Sequence, residues 1–519
     1  MVVCQYSAWA SCDWDTSSKA FSRRMRGEPL HEAPRFVLEG MRTSAPPNPS
    51  GFLIFESPML EPTAVQTDCF GLEPMRAHFL SGATRPLKVR LRALEVLQKA
   101  IQTHEKDILR AVSQDLGKSD FEGYATEVGI TLSEIRYVRK HLSRWVKPRL
   151  RWPALTQLPG RTYIQYEPRG LVLIIAPWNY PFQLLMLPLV GAIAAGNVVV
   201  LKPSELAPAT ETIIEKIIRE NFPAEYIRVV KGDASVSAAL VEEDWDYIFF
   251  TGGTRVGRLI AESAGRRLIP CTLELGGKSP TIVTRHANLP TTARRIAWGK
   301  WTNAGQTCIA PDYVLVDQAV LQPFLTHLKE TLTAFYGPDL SKRPPDYGRI
   351  VHQNHFNRLA AMLSEGDVVY GGFTDPDDLY ISPTILLNPH GRLVEEEIFG
   401  PLLPIIPYST LEEARAFIRR LPPPLALYIF TEKAAEEKYF LEATAAGGSC
   451  INDTIMQVAS SRLPFGGVRQ SGIGRYHGWY SFETFSHARG IVKTPTWIDL
   501  PLRYPPYKGK LSLVRWLLG

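Results

Sequence analysis

Apolar positions in the first third of the chain recur at helical spacing. In the stretch LKVRLRALEVLQKAIQTHEKDILRAVSQDL, Leu87, Leu91, Leu94, Leu97, Ile101, Ile108, Leu109 and Val112 fall close to a 3.6-residue period, and a second helix is predicted over roughly 123–145. RTYIQYEP (161–168) alternates and predicts a strand. The pattern then changes to continuous apolar runs, the mark of strands buried on both faces: GLVLIIAP (170–177), NVVVLKPS (197–204), YIRVVKG (226–232), YIFFTGG (247–253) and CTLELGG (271–277). Helical stretches, LLMLPLVGAIAAG (184–196) and TETIIEKIIRENF (210–222), lie between them. This strand–helix rhythm predicts a doubly wound parallel sheet. Later strands (YVLVD, PTILLN, LLPIIPY, ALYIFT) alternate with helices near 318–335, 352–364, 410–420 and 433–445, which predicts a second α/β domain. Residues 1–72 keep no period and carry Pro34, Pro46, Pro47, Pro49, Pro58 and Pro62, so they read as an irregular, largely disordered extension; Met41, Met59 and Met75 leave room for other start sites. GKLSLVRWLLG closes the chain as a short amphipathic tail.

Composition narrows the function classes. A chain of 519 residues accommodates two to four domains, and 45% hydrophobic with 21% charged residues is an ordinary globular balance. The net charge of +6, from 58 basic and 52 acidic residues, is mild, and no basic run with interleaved aromatics points to nucleic acid. Cys4, Cys12, Cys69, Cys271, Cys308 and Cys450 share no repeated spacing, which fits a reducing compartment better than a disulfide scaffold or zinc ribbon. His352 and His355, three residues apart, read as a solvated helix face and not as metal ligands. No apolar run is long enough to span a bilayer. The N-terminus lacks a secretory pattern, and SSKAFSRRMR (17–26) has a faint transit-peptide character, so the expected location is cytoplasmic with organelle import as the alternative.

Six short constellations could carry chemistry. FFTGGTRVGR (249–258) turns a strand into a helix through glycines, a geometry that suits phosphate but departs from the standard dinucleotide fingerprint. In VLKPSE, Lys202 and Glu205 sit at a strand's carboxyl end, where ribose hydroxyls could be bound. Asn179 in APWNYPF lies between two prolines, so its amide is a candidate fixed donor. Glu274 in LELGGKSP is placed among apolar neighbours, where burial raises a carboxyl toward the range of a general base. Cys308 in NAGQTCIAPD sits among small and turn-forming residues, where backbone N–H groups could stabilise a thiolate. In EEIFGP, Glu397 and Phe399 would share a face if the segment were extended. Each taken alone has an ordinary structural reading.

Taken together and in order, these motifs resemble the NAD(P)-dependent aldehyde dehydrogenase superfamily over roughly 73–507, and NAGQTCIAPDYVL, LPFGGV, GRYHG, SFETFSH and RYPP resemble its class 3, fatty-aldehyde branch. The resemblance implies a doubly wound parallel-sheet cofactor domain (73–276) interrupted by an oligomerisation hairpin at about 148–168, an α/β catalytic domain (277–460), and an oligomerisation strand with tail (461–519). It implies Cys308 as nucleophile, Glu274 as general base and Asn179 as oxyanion donor, with Trp178, Lys202, Glu205, Gly252, Gly253, Gly257, Glu397 and Phe399 binding the cofactor. It implies an aldehyde substrate, NAD with NADP possible, and a homodimer. Glu205 should repel a 2′-phosphate, which favours NAD. An acyl-CoA or acyl-phosphate reductase and a non-catalytic protein on the same scaffold are the alternatives; Glu274 argues against the first, and the joint presence of Cys308, Glu274 and Asn179 against the second.

Three positions depart from the family pattern. Gly253 stands where Ser or Asn is common, Arg469 where Gly is usual, and Ile451 where class 3 members often carry Gly. A left-handed backbone at Arg469 would cost about 1 kcal/mol or more. Arg469 and Ile451 are expected near the substrate entrance or a subunit contact. The C-terminal tail is too short to span a membrane but could touch its surface.

Overall fold

A computed structural model describes residues 70–499 and 501–518. The extension expected over 1–72 lies outside the described residues except for its last three positions, as do Cys4, Cys12, Cys69, Met41 and Met59. The first predicted helix is two, Leu87–Thr103 and Glu105–Leu116, and their apolar stripe is buried: Leu94, Leu97, Ile101, Ile108 and Val112 are fully inaccessible. The second is interrupted. Asp120–Gly123 is capped by the Ser119 hydroxyl, a π-turn follows over Tyr124–Val128, and the α-helix resumes as Gly129–Trp145.

The continuous apolar runs form a six-stranded sheet in the order Gly472–Ile473, Cys271–Glu274, Tyr247–Thr251, Leu171–Ile175, Val198–Lys202, Ile227–Val229. All neighbours are parallel except the short Gly472–Ile473, which runs antiparallel beside Cys271–Glu274. Every residue of Leu171–Ile175, Val198–Lys202 and Tyr247–Thr251 is buried, as expected of strands covered on both faces. A seven-stranded sheet follows: Asp367–Tyr370, Thr384–Leu387, Leu402–Tyr408, Tyr313–Asp317, Pro280–Val283, Ala426–Phe430, Gly448–Ile451. It is parallel apart from the edge strand Asp367–Tyr370. Arg149–Arg151, Arg161–Pro168 and Ser486–Lys493 make a separate antiparallel sheet, so the predicted alternating segment is its central strand.

The two departures expected near the substrate entrance or a subunit contact, Arg469 and Ile451, have defined local settings. Arg469 does adopt φ +57° and is bridged to Gly472 in the tight turn that feeds the strand beside Glu274. Ile451 pairs in register with Ile429 and packs on the core formed by Ile282, Tyr313, Leu427 and Phe440. Its side chain therefore fills the outer layer of the seven-stranded sheet.

Helix Gln183–Ala195 is buried along its whole length, which explains a sequence that is apolar all round. Its Gly191 faces Ser481 and Phe485, and a Cβ there would fall 2.6 Å from the Ser481 Cβ. Gly191→Val is expected to lower stability by about 1–3 kcal/mol through overpacking; chemical denaturation checks this, and an unchanged midpoint would contradict the packing.

Candidate active site

Parallel strands bring their leading and trailing loops to opposite edges, and this collects the motifs. The carboxyl ends of Leu171–Ile175, Tyr247–Thr251 and Cys271–Glu274 deliver Asn179, Gly252 with Gly253, and Glu274 respectively. In the seven-stranded sheet, Leu402–Tyr408 and Tyr313–Asp317 are adjacent and parallel, so the loops entering them share one edge. Those loops carry Phe399 and Cys308. A cavity of about 240 Å³ is lined by Trp178, Asn179, Gly252, Gly253, Glu274, Cys308, Glu397 and Phe399. A second cavity of about 450 Å³ shares Pro177, Trp178, Thr251 and Gly252 with the first and adds Glu205 and Ser237.

Cys308 follows a short turn, Thr302–Gly305, in which Asn303, Ala304 and Gly305 all have positive φ. Gly305 is required by contact: a Cβ would fall 2.2 Å from the Gly400 carbonyl oxygen. The Gln306 side chain fastens the loop, donating to the Arg349 carbonyl at 3.0 Å and accepting from the Val351 N–H at 3.0 Å. Tyr428 donates to the Ile309 carbonyl at 2.6 Å, and Thr307 shares a 2.6 Å hydrogen bond with Tyr180. The loop that carries the sulfur is thus fastened on both sides of Cys308, which packs against the main core.

The electrostatics differ from the expectation of a stabilised thiolate. Burial, with Glu397 and Glu274 close by, pushes the Cys308 thiol up to about 12, outweighing the backbone N–H groups of Cys308 and Ile309. Glu274 is 2% exposed, and neither carboxyl oxygen has a hydrogen-bond partner among the described residues; burial alone raises it well above the usual carboxylate range. Glu397 is pushed up to about 8, by burial first and then by Asp312. Three acidic groups therefore face one small space with no cation among the residues that line it. The Asn179 amide is held at 3.1 Å from the Gln306 carbonyl, which it serves as donor, and its own oxygen has no partner among the described residues.

A dinucleotide fits this trough. Gly253 caps helix Thr254–Arg266, whose first N–H groups are free of side-chain capping. A Cβ on Gly253 would meet nothing within 4 Å, so the departure from Ser or Asn leaves the backbone donor in place. At Gly252 a Cβ would strike the Phe250 ring at 2.4 Å, and at Gly276 it would fall 2.0 Å from the Glu397 Oε2. Two predicted cofactor residues stand behind the cavity walls. Lys202 is 1% exposed, donates to the Pro203 carbonyl at 2.6 Å and lies 3.5 Å from Glu205. Gly257 lets its helix close on Leu275, where a Cβ would fall 2.5 Å from Leu275 Cδ2.

The Glu397–Phe399 segment is not extended. Phe399 has φ +53°, so its ring and the Glu397 carboxyl reach the same cavity through a turn. Groups that the motifs did not flag hold that turn. His355 bonds to the Phe399 carbonyl at 2.8 Å and packs against Trp178 with ring centroids 5.7 Å apart, while His352 caps its helix. The solvated-face reading of this pair is therefore corrected: burial behind Phe399 pushes the His355 imidazole down to about 4. Arg358 donates to the carbonyls of Glu397 and Ile398. Lys278, paired with Asp312, donates to the Leu393 and Glu396 carbonyls at 2.9 and 2.7 Å. Lys278 adjoins the Glu274 motif and His355 had been noticed for its spacing, but nothing local in either stretch names a partner a hundred residues or tens of residues away.

Residues 73–491 match the aldehyde dehydrogenase family. The chain is 46% identical over 444 residues to the 4,4′-diaponeurosporen-aldehyde dehydrogenase of Staphylococcus aureus, covering 85% of this chain and 96% of that one. It is 43% identical over 443 residues to the dimeric NADP-preferring aldehyde dehydrogenase of Canis lupus familiaris, covering 84% and 97%. A solved structure of Staphylococcus aureus AldH in its substrate-bound state superimposes with a TM-score of 0.84 at 45% identity, over 86% of this chain and 98% of that one. With a match of this reach in sequence and in fold, the chain belongs to the aldehyde dehydrogenase family and is an NAD(P)-dependent aldehyde dehydrogenase.

Proposed function

We propose that Cys308 attacks the aldehyde carbonyl, that Asn179 holds the resulting oxyanion, and that Glu274 activates the water that releases the acid. The observation that carries this reading is the single cavity shared by Cys308, Glu274 and Asn179 with the Gly252–Gly253 turn and Glu397. The Asn179 amide and the Cys308 N–H are the donors for the alkoxide, each worth about 3 kcal/mol in a water-poor site. Bound in the trough, the oxidised nicotinamide supplies the two-electron acceptor and a positive charge that offsets the acidic groups around the sulfur. The acyl group left as a thioester on Cys308 is then hydrolysed. Glu274 takes the proton from water, a role suited to a carboxyl that burial has made basic. Glu205 serves the adenosine ribose, which Lys202 joins by turning its ammonium away from the Pro203 carbonyl; Glu397 serves the nicotinamide ribose, and Phe399 with Trp178 bounds the ring. Glu205 favours NAD by repelling a 2′-phosphate.

Several coarser readings follow from the same resemblance. The cofactor and catalytic regions divide near residue 276, and Ser486–Lys493 with the Arg149–Pro168 hairpin assembles a homodimer; Leu150 and Trp152, 73% and 98% exposed, lie on that element. The substrate is a medium- or long-chain aliphatic or an aromatic aldehyde; the Staphylococcus aureus relative is named for a 4,4′-diaponeurosporen-aldehyde. No described helix is long and apolar enough to cross a membrane. The C-terminal helix Leu511–Leu518 buries none of its residues, which suits weak contact with a membrane surface. The protein is assigned to the cytoplasm.

An aldehyde panel with NAD and with NADP, followed by absorbance of the reduced nicotinamide, tests the assignment. Reduction of acyl thioesters with no aldehyde oxidation would overturn it. Cys308→Ser is expected to abolish oxidation while cofactor affinity, read by fluorescence titration, stays within about twofold. Glu274→Gln is expected to give one burst of reduced cofactor and then stall; steady turnover at the wild-type rate would remove Glu274 from its role. Because the thiol is raised, the ionised fraction grows with pH, so alkylation of Cys308 by iodoacetamide without cofactor should accelerate about tenfold per pH unit from 7 to 10. A plateau below pH 8 would contradict that electrostatic picture.

A further inference from the structure

The segment KSDFEGYATE, residues 118–127, leads into the helix predicted over 123–145. Two of its charged side chains, Lys118 and Glu127, are buried, and Glu122 is half-buried. Lys118 and Glu127 form an ion pair at 2.7 Å with both side chains fully inaccessible. The Lys118 ammonium also donates to the backbone carbonyl of Asn179 at 3.0 Å and lies 3.9 Å above the Tyr180 ring. The second oxygen of Glu127 accepts the N–H groups of Phe182 and Gln183 at 3.2 and 2.8 Å, where helix Gln183–Ala195 begins. Glu122, one turn earlier, accepts the Asn303 N–H at 2.8 Å at the start of the strained turn before Cys308. The Asn303 side chain completes the circuit by donating to the same Asn179 carbonyl at 2.8 Å.

We propose that Lys118, Glu122 and Glu127 are positioning residues for the oxyanion site, bracing the Asn179 turn against the Cys308 turn. This rests on the reading of Asn179 as the oxyanion donor. The π-turn over Tyr124–Val128 contains Glu127 and adds a residue to the helical register there, a device common at functional sites. A buried ion pair gives little net stability, because desolvation offsets its attraction and apolar residues of the same volume do as well. Apolar residues could not supply what this pair supplies, which is a cation on the Asn179 carbonyl and an acceptor for two free helix N–H groups. The peptide that carries the Asn179 side chain is thereby fixed, and a misplacement of about 1 Å at such a donor can cost on the order of a hundredfold in rate.

The test is a double-mutant cycle read as the single-turnover rate of reduced-cofactor formation from octanal and NAD, with half-saturation for octanal and NAD affinity measured alongside. Asn179→Ala tests the underlying reading: a wild-type rate there removes Asn179 as the donor. The brace is tested by Lys118→Met with Glu127→Gln, which removes both charges and retains an acceptor. The expected result is a rate about tenfold lower with both affinities within about twofold of wild type, and no further loss when Asn179→Ala is added. A wild-type rate, or a loss that multiplies with that of Asn179→Ala, overturns the brace while leaving the donor in place. If the paired variant does not fold, Glu122 decides the matter. Glu122→Gln, which keeps the acceptor for Asn303, should retain the wild-type rate and Glu122→Ala should lose about tenfold; equal rates in the two would overturn the proposal.

Discussion

A carboxyl group left without a partner in a protein interior is expensive, and Glu274 is such a group. It ends a strand flanked on one side by the wholly buried Tyr247–Thr251, and it is itself 2% exposed with neither carboxyl oxygen partnered among the described residues. An unpaired buried carboxylate would cost several kcal/mol, and burial accordingly raises the Glu274 carboxyl well above the usual carboxylate range. The surrounding structure has to be large and rigid enough to absorb that cost. Two largely parallel sheets, each with buried central strands, provide the rigidity. They also supply the geometry, since carboxyl ends of one sheet and leading loops of the other meet around the same space.

Much of this could be read from the residues because the information was local. Continuous apolar runs gave the strands of the first sheet, and glycines at 252 and 253 marked the turn into a helix. Cys308, Glu274 and Asn179 stood out for their incongruity with their neighbours, and the structure gathers all three on one cavity. What was hidden depended on distance along the chain. The short edge strands Asp367–Tyr370 and Gly472–Ile473 carry too few residues for a period. His355 gives no sign in its own helix that its partner is the carbonyl of Phe399. Nor does EEIFGP show that Phe399 turns left-handed, because a bulky aromatic is a poor candidate for positive φ and only its surroundings impose it.

The same contrast applies to charge. The sign of the shift at Cys308 could not be taken from a run of small residues. It comes first from burial and then from two carboxyls contributed by segments 34 residues before it and 89 residues after it, Glu274 and Glu397. With the thiol raised and no cation lining the cavity, thiolate character at Cys308 rests on what else enters that space, and oxidation and alkylation follow thiolate character.

Gly253 offers a last consequence. Its backbone is an ordinary φ −74°, and space beyond its α-carbon is open for 4 Å. On the proposed reading of this turn as the pyrophosphate site, the chain contributes there through a peptide amide, and a side chain at 253 meets no protein atom at its first carbon. That makes the position a natural anchor for an environment-sensitive dye, attached through an introduced thiol, which would report dinucleotide arrival and departure from beside the phosphates without altering the chemistry deeper in the trough.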